Sequence, residues 1–473
     1  MTARHFFISV IFLFVLFSLG AQDAVDFGKE PKNDRDYEQC AHTNIHERLM
    51  SENPVYKLEQ DLREAALSVL LEQERLGLVP KSDAILTIPL VVHIIHKGEA
   101  YGVGTNITNE QVYSAVNSLN EDYRKMAGTN GFGDGVDIGV EFCLAQRNPD
   151  GQSHNGINRV NGCSVSNYCD NGITAGTGPG ATELTIKNLS RWPNQQYYNI
   201  WVVSEIEGNN GGSGVQGYAY FPTTSAVDGT VLLFNAFGTV GNLKSYTNLN
   251  RTLTHELGHA FALFHTFQGG SCAAETNCTL QGDRVCDTPP TILNSNCASP
   301  ACGGTQQIAN YLDYTSQLCK NMFSEDQKTR MRNTIINSRA NLLLSNGCEP
   351  VVIVPADAAI TAITRPVGNL CTNIIQPVVQ LKNEGSVNLS NTEIQYRTGG
   401  AWETYQWTGL LGPGQFTSIT LPSYDGGWGV RTLEVRSNNP NGGVDGNNSN
   451  NLFSKQYHAV QNGHMLTLKI TLD

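Results

Sequence analysis

The sequence predicts a mixed α/β (α+β) domain built around one motif-bearing helix, followed by an all-β sandwich of immunoglobulin-like size. Three observations lead there. Apolar, β-branched runs alternate with capped helical stretches between residues 86 and 344. The run HELGHAFALFH, His255 to His265, carries two histidines four residues apart, a glutamate beside the first, and a third histidine six residues beyond the second. From about Val354 the pattern changes to short alternating runs separated by turns rich in Gly, Asn and Pro.

In chain order, residues 1–21 read as a secretory signal peptide: Arg4 supplies the positive start, Phe6 to Leu19 the apolar run, and Ser18, Gly20 and Ala21 the small residues of a cleavage site. No later segment approaches the apolar length needed to span a bilayer. An exported protein, soluble or attached to the cell surface, is therefore expected. Residues 22–85 form a leader segment with a helix from about Val55 to Arg75. Leu86 to Ile95 suits a buried strand, Thr108 caps a helix running to about Lys125, and Val140 to Ala145 and Ile200 to Val203 are further strands. Thr230 to Phe234 is expected as the edge strand above a cleft, where an extended peptide could add by main-chain hydrogen bonds.

The helix that comes next carries the chemistry. Residues four apart share a helix face, so His255 and His259 can address one ion with Glu256 beside them. His265, six residues beyond His259, reaches the same ion if the chain turns back just before it. Three neutral imidazoles with a fourth position open to water describe a catalytic rather than a structural zinc (Zn2+). The ion lowers the pKa of that water, and Glu256 is placed to take the proton as general base. A helix carrying HExxH by chance is the competing reading, and the correctly spaced third histidine weighs against it.

This segment, HELGHAFALFHTFQGGSC, together with GDRVCDTPP (Gly282 to Pro290) and NYLDYTSQLCKNMFSEDQ (Asn310 to Gln327), resembles the pappalysin family of metzincin zinc peptidases, especially its ulilysin-like members. TIPLVVHIIHKGE (Thr87 to Glu99), VEFCLAQRNPDG (Val140 to Gly151) and YNIWVVSEIEG (Tyr198 to Gly208) resemble the earlier part of the same catalytic domain, assigned here to residues 86–350. The resemblance implies that Tyr314 helps to stabilise the oxyanion; a ring packed in an apolar turn is the alternative. Two positions depart from the family pattern. Ala262 stands where a left-handed glycine normally ends the helix, at a cost on the order of 1 kcal/mol that the fold and a bound metal can over-determine. Leu312 replaces the methionine of the turn beneath the metal and is similar in volume. Gln317 stands where ulilysin-like enzymes carry an acidic residue, which implies a weakened preference for Arg or Lys, since a neutral amide cannot form the charge-assisted bidentate pair.

Twelve cysteines in an exported chain point to disulfides. The resemblance implies the pairs Cys272 with Cys302 and Cys297 with Cys319. Cys278 with Cys286 and Cys163 with Cys169 could form local bridges, and Cys348 with Cys371 could link the catalytic domain to the segment after it, although sequence alone does not fix connectivity. Cys40, in EQCAHT, then lies in a removable propeptide, residues 22–85, cut between Glu74 and Asp83. Its thiolate could fill the open coordination site of zinc, as the cysteine switch of the family's pro-forms implies. A disulfide with Cys143 is the alternative. Asp283, Asp287 and Thr288 offer hard oxygen ligands for calcium (Ca2+), and the family's site supports Asp283 and Thr288 with Cys286 through its carbonyl. The alternative is an Asx-turn with a proline-stiffened bend.

Ser324 and Gln327 form a capping box opening a last helix to roughly Leu344, with Met331, Ile335 and Leu342 as core. Val378 to Asn383, Glu393 to Thr398, Ser418 to Pro422 and Thr432 to Ser437 supply strands of the sandwich, placed at 354–460. Trp402, Trp407 and Trp428 read first as packing residues and second as a surface- or glycan-binding set. Residues 461–473 look like the start of a further segment.

The net charge of -12 disfavours nucleic acid as a partner. Three function classes remain: a secreted zinc endopeptidase acting on polypeptides, a catalytically weak relative used for binding or adhesion, and a zinc hydrolase of non-peptide amides.

Overall fold

The computed structural model describes residues 39–78, 83–176, 178–351 and 355–461. The expected signal peptide, the first part of the propeptide and residues 462–473 lie outside them. The chain divides into two compact units between residues 351 and 352.

The first unit is a mixed α/β fold around one sheet. Its strand order is Gln39–Cys40, Val215–Ala219, Thr230–Leu233, Tyr198–Val203, Leu86–His96 and Val140–Leu144, with Ile157–Asn161 also paired to Leu86–His96. Every pairing is parallel except that of Val215–Ala219 with Thr230–Leu233. Parallel strands are covered on both faces, which is why Leu86–His96 is a nearly unbroken apolar run. Alternation then sorts its side chains: Leu90, Val92 and Ile94 pack on one face with Val112, Leu119, Leu253 and Leu257 of two helices, Asn109–Tyr123 and Arg251–Ala260. Ile95 turns to the opposite layer with Trp201, Tyr218 and Tyr220.

The edge differs from expectation. Thr230–Leu233 is hydrogen-bonded on both sides and fully buried; the rim strand of the sheet without the leader is Val215–Ala219, and the leader strand Gln39–Cys40 pairs on its outer side. Its sequence, VQGYA, hides it, because Gly217 interrupts the alternation. A Cβ at Gly217 would lie 2.8 Å from Leu232 Cδ2 and 3.3 Å from Glu256 Cγ. Glycine in a strand marks such a close approach.

Helix Pro54–Arg75 is capped by Asn53, whose side chain accepts from the Val55 and Tyr56 amides. Thr108 accepts from Gln111 at 3.2 Å, and the Ser324/Gln327 capping box is present. The expected last helix is broken: Glu325–Ser338 ends at Arg339 (φ -125°, ψ 24°), and a short turn, Ala340–Leu343, comes after it. Arg339 is buried, its guanidinium on both Asp228 carboxylate oxygens (2.7 and 2.8 Å) and on Ala260 O (2.9 Å).

Five disulfides tie this unit: Cys143–Cys348, Cys163–Cys169, Cys272–Cys302, Cys278–Cys286 and Cys297–Cys319. Two expected pairings are thereby corrected. Cys348 bonds Cys143 and not Cys371, and Cys143 is not the partner of Cys40. The backbone explains it, since Gln146 N donates to Gly347 O at 2.8 Å and brings the chain after the last helix back to the strand carrying Cys143.

The second unit is a β-sandwich. Ala358–Arg365, Val378–Asn383 and Phe416–Thr420 form one sheet. Asn369–Leu370, Leu452–Ala459, Gly429–Asn438, Leu389–Arg397 and Glu403–Leu411 form the other. Ile360, Val379, Leu381, Ile394, Leu433 and Val435 share their core. Trp407 joins that core, Trp402 lies between the guanidinium groups of Arg397 and Arg436 (4.3 Å each), and Trp428 is partly exposed.

Candidate active site

Helix Arg251–Ala260 ends in a Schellman turn: Ala262 N donates to His259 O (2.8 Å) and Leu263 N to Gly258 O (3.0 Å). Ala262 takes the left-handed position with φ 69°. It is held there, since Arg330 Nε donates to its carbonyl at 2.8 Å. The reversal returns His265 to the helix face that carries His255 and His259.

The three Nε2 atoms then lie 3.1 Å from one another. Three nitrogens on a tetrahedral zinc, at roughly 2.0–2.1 Å from it, would be about 3.3 Å apart. The triangle therefore fits a zinc ion. Each ring is oriented through its other nitrogen: His255 Nδ1 donates to Tyr311 O (2.7 Å), His259 Nδ1 to Leu263 O (2.7 Å), and His265 Nδ1 meets Thr43 Oγ1 (2.9 Å). Burial, reinforced by the neighbouring imidazoles, holds His259 and His265 well below the usual histidine range, so both are neutral donors.

Cys40 completes the cluster. Its Sγ and one nitrogen from each of the three histidines lie within 4.8 Å of one another, and all four residues are buried. Among the described residues this is the grouping of His, Cys and acidic side chains able to hold a metal. Cys40 Sγ also contacts Glu256 Oε2 at 3.2 Å. The Tyr314 hydroxyl accepts from Cys40 N and donates to Cys40 O, both at 2.9 Å. Gln39–Cys40 runs parallel to the rim strand with Cys40 opposite Gly217, and Ala41 N donates to Gly217 O at 3.3 Å. His42 stacks on His259 with centroids 4.0 Å apart and bonds Ala219 O at 2.7 Å.

Leu312 lies beneath the site helix, fully buried. A Cβ on Gly258 would come within 2.8 Å of its Cδ2, so glycine is required for the helix to sit on this floor. Gln317 is buried against the start of the same helix, accepting from Leu249 N (3.0 Å) and donating to Thr252 Oγ1 (3.1 Å). In the Gly282–Pro290 loop, Asp283 accepts the Thr288 hydroxyl (2.6 Å) and Val285 N (3.1 Å), which is an Asx-turn. Burial pushes the Asp283 carboxyl up to about 8. Asp287 is used differently, accepting from Ser324 Oγ (2.6 Å) and Asp326 N (3.0 Å) at the start of helix Glu325–Ser338. Cys286 is bonded to Cys278.

Sequence reasoning missed Gly217, Thr43 and His42. Gly217 carried a usable signal as an isolated glycine in a strand; the other two are polar residues in a leader and carried none.

Residues 181–336 match the family model Peptidase_M43, pregnancy-associated plasma protein-A. Over these residues the first unit is similar to the pappalysin family. An extracellular metalloprotease of Pyricularia oryzae is 29% identical over 296 residues, 60% of this chain and 87% of that protein. One from Podospora anserina is 34% identical over 172 residues, 34% of this chain and 54% of that protein. The chain thus spans about half the length of the Podospora relative (54%) and of a similar one from Sordaria macrospora (55%). Among solved structures, mature mirolysin of Tannerella forsythia in complex with a cleaved peptide is 28% identical, covering 56% of this chain and 96% of that one, with a TM-score of 0.43. No described helix is long and apolar enough to cross a membrane.

Proposed function

We propose that the chain is a secreted zinc-dependent endopeptidase made as a latent precursor. The observation carrying this reading is the 3.1 Å triangle of His255, His259 and His265 Nε2 atoms with Glu256 and Tyr314 around it. A zinc ion held there supplies Lewis acidity, acidifying water and polarising the scissile carbonyl. Glu256 takes the proton of the attacking water and delivers it to the leaving amine. The Tyr314 hydroxyl, once it no longer bonds Cys40, is available to donate to the developing oxyanion. The rim strand Val215–Ala219 offers its main chain to an extended substrate, and Gly217 lets that strand pass close to Glu256.

Latency in this reading is threefold. The Cys40 thiolate would take the coordination position that water needs, its sulfur lies 3.2 Å from the Glu256 carboxylate and bars a water from that place, and its backbone occupies both sides of the Tyr314 hydroxyl. Residues 22–85 are the propeptide, 86–350 the peptidase domain, and cleavage between Glu74 and Asp83 releases the lock. A signal peptide at 1–21 and export belong to the same reading. Gln317 weakens a basic preference, and a Gln317→Glu variant profiled on a peptide library should gain preference for Arg or Lys. Asp283, Cys286 and Thr288 would hold calcium in the same reading, in place of the Val285 N and Thr288 hydroxyl bonds that the two Asp283 oxygens now accept; a calcium-dependent rise in melting temperature abolished by Asp283→Asn would support it. The sandwich, 354–460, would direct the enzyme to a surface or glycan through its exposed aromatic residues.

Hydrolysis of casein by the processed protein, lost in Glu256→Ala and with a chelator, is the expected result. A metal-retaining protein without hydrolysis would favour the binding or adhesion reading, and activity confined to small amides the third.

A further inference from the structure

Two of the three histidines are oriented by carbonyls that belong to the peptidase fold itself, Tyr311 O and Leu263 O. The third is not. His265 Nδ1 is met by the hydroxyl of Thr43, three residues past Cys40 in the leader. The Nε2 atoms face one another, so each Nδ1 carries the proton and Thr43 Oγ1 accepts it. We infer that the leader is part of the zinc site's outer sphere: Thr43 is a positioning residue that fixes the His265 ring, and the latent precursor is the form built to acquire and hold the metal.

This inference rests on the zinc reading above and goes beyond the thiolate lock. Cys40 closes the coordination sphere, which by itself favours retention. Thr43 acts on a different atom. Groups that orient a ligating imidazole through its distal nitrogen change metal affinity by roughly 10–100-fold. The cavity beside this contact is lined by Thr43, His265, Phe267 and Tyr314, so departure of the leader leaves His265 Nδ1 facing a cleft where water or substrate must replace the hydroxyl. Release of the leader then loosens the metal as it opens the site.

The test uses the full-length chain in a Glu256→Gln background, which prevents self-processing. Zinc transfer to a chromogenic chelator is measured for the parent, Thr43→Val and Thr43→Ser, and the same proteins are loaded with cobalt(II) to read the thiolate-to-metal absorption band of Cys40. The expected result is about tenfold faster zinc loss in Thr43→Val, near-parental retention in Thr43→Ser, and an intact thiolate band in both. Parental retention in Thr43→Val would overturn the inference. So would faster loss with a vanished band, which assigns the effect to undocking of the leader. A parent chain that holds no zinc would instead remove the reading beneath it.

Discussion

Replacing Glu64 with glutamine should unfasten the leader. Glu64 sits on helix Pro54–Arg75, its side chain 17% exposed, with both carboxylate oxygens 2.8 Å from Arg330 Nη2 and one 2.8 Å from Arg284 Nη1. Arg330 is the residue that also holds the Ala262 carbonyl. Burial works against the Glu64 charge, but Arg330 and Arg63 outweigh it and hold the carboxyl at about 2. Against an ordinary value of 4.5, that shift corresponds to roughly 3 kcal/mol at about 1.4 kcal/mol per pKa unit. Breaking one side of a buried pair costs about 3–5 kcal/mol, so the two routes agree. The carboxyl is depressed in the docked state; its contribution is therefore complete above about pH 4.5 and is lost as pH falls toward 2. Hydrogen exchange of the Pro54–Arg75 amides in full-length Glu256→Gln protein reads the opening free energy directly. Glu64→Gln should accelerate exchange roughly a hundredfold at neutral pH, the fold-change that about 3 kcal/mol implies. Exchange in this helix within a factor of about three of the parent would refute the electrostatic account of docking.

Three other outcomes are expected. Unprocessed Cys40→Ala should hydrolyse casein where the unprocessed parent does not; equal inactivity would require another source of latency. Ala262→Gly removes a left-handed alanine and should raise stability by about 0.5–1 kcal/mol in denaturant unfolding, the relief of strain being partly offset by the freer unfolded chain. Arg339→Met leaves Asp228 buried without its guanidinium and frees the Ala260 carbonyl, for an expected loss of about 3–5 kcal/mol; a loss under about 1 kcal/mol would contradict the role given to this pair.

The site was legible in the sequence because its signal is local. Three histidines within eleven residues need only a helix and one reversal, and both were readable from HELGHAFALFH. Ala262 did not prevent that reversal, because Arg330, from a helix about seventy residues on, ties the turn down. The sandwich strands were legible from period-two alternation, as in Val378–Asn383, where buried and half-buried residues alternate without a break. Edge position was not. Thr230–Leu233 and the central strand Leu86–His96 both read as apolar runs, and nothing in such a run says how many neighbours it has. The break at Arg339 was hidden for a similar reason: it depends on Asp228, more than a hundred residues earlier. The Cys143–Cys348 bond spans 205 residues and depends on tertiary placement. Thr43 is the extreme case, a residue in a polar leader whose meaning exists only beside His265.

The most direct measurement is an anomalous difference map at the zinc absorption edge from crystals of the full-length protein. One strong peak is expected, equidistant from the Nε2 atoms of His255, His259 and His265, with Cys40 Sγ as fourth ligand. A His265 ring turned away from that point, or a map without a peak there in protein that hydrolyses casein, would contradict the zinc reading.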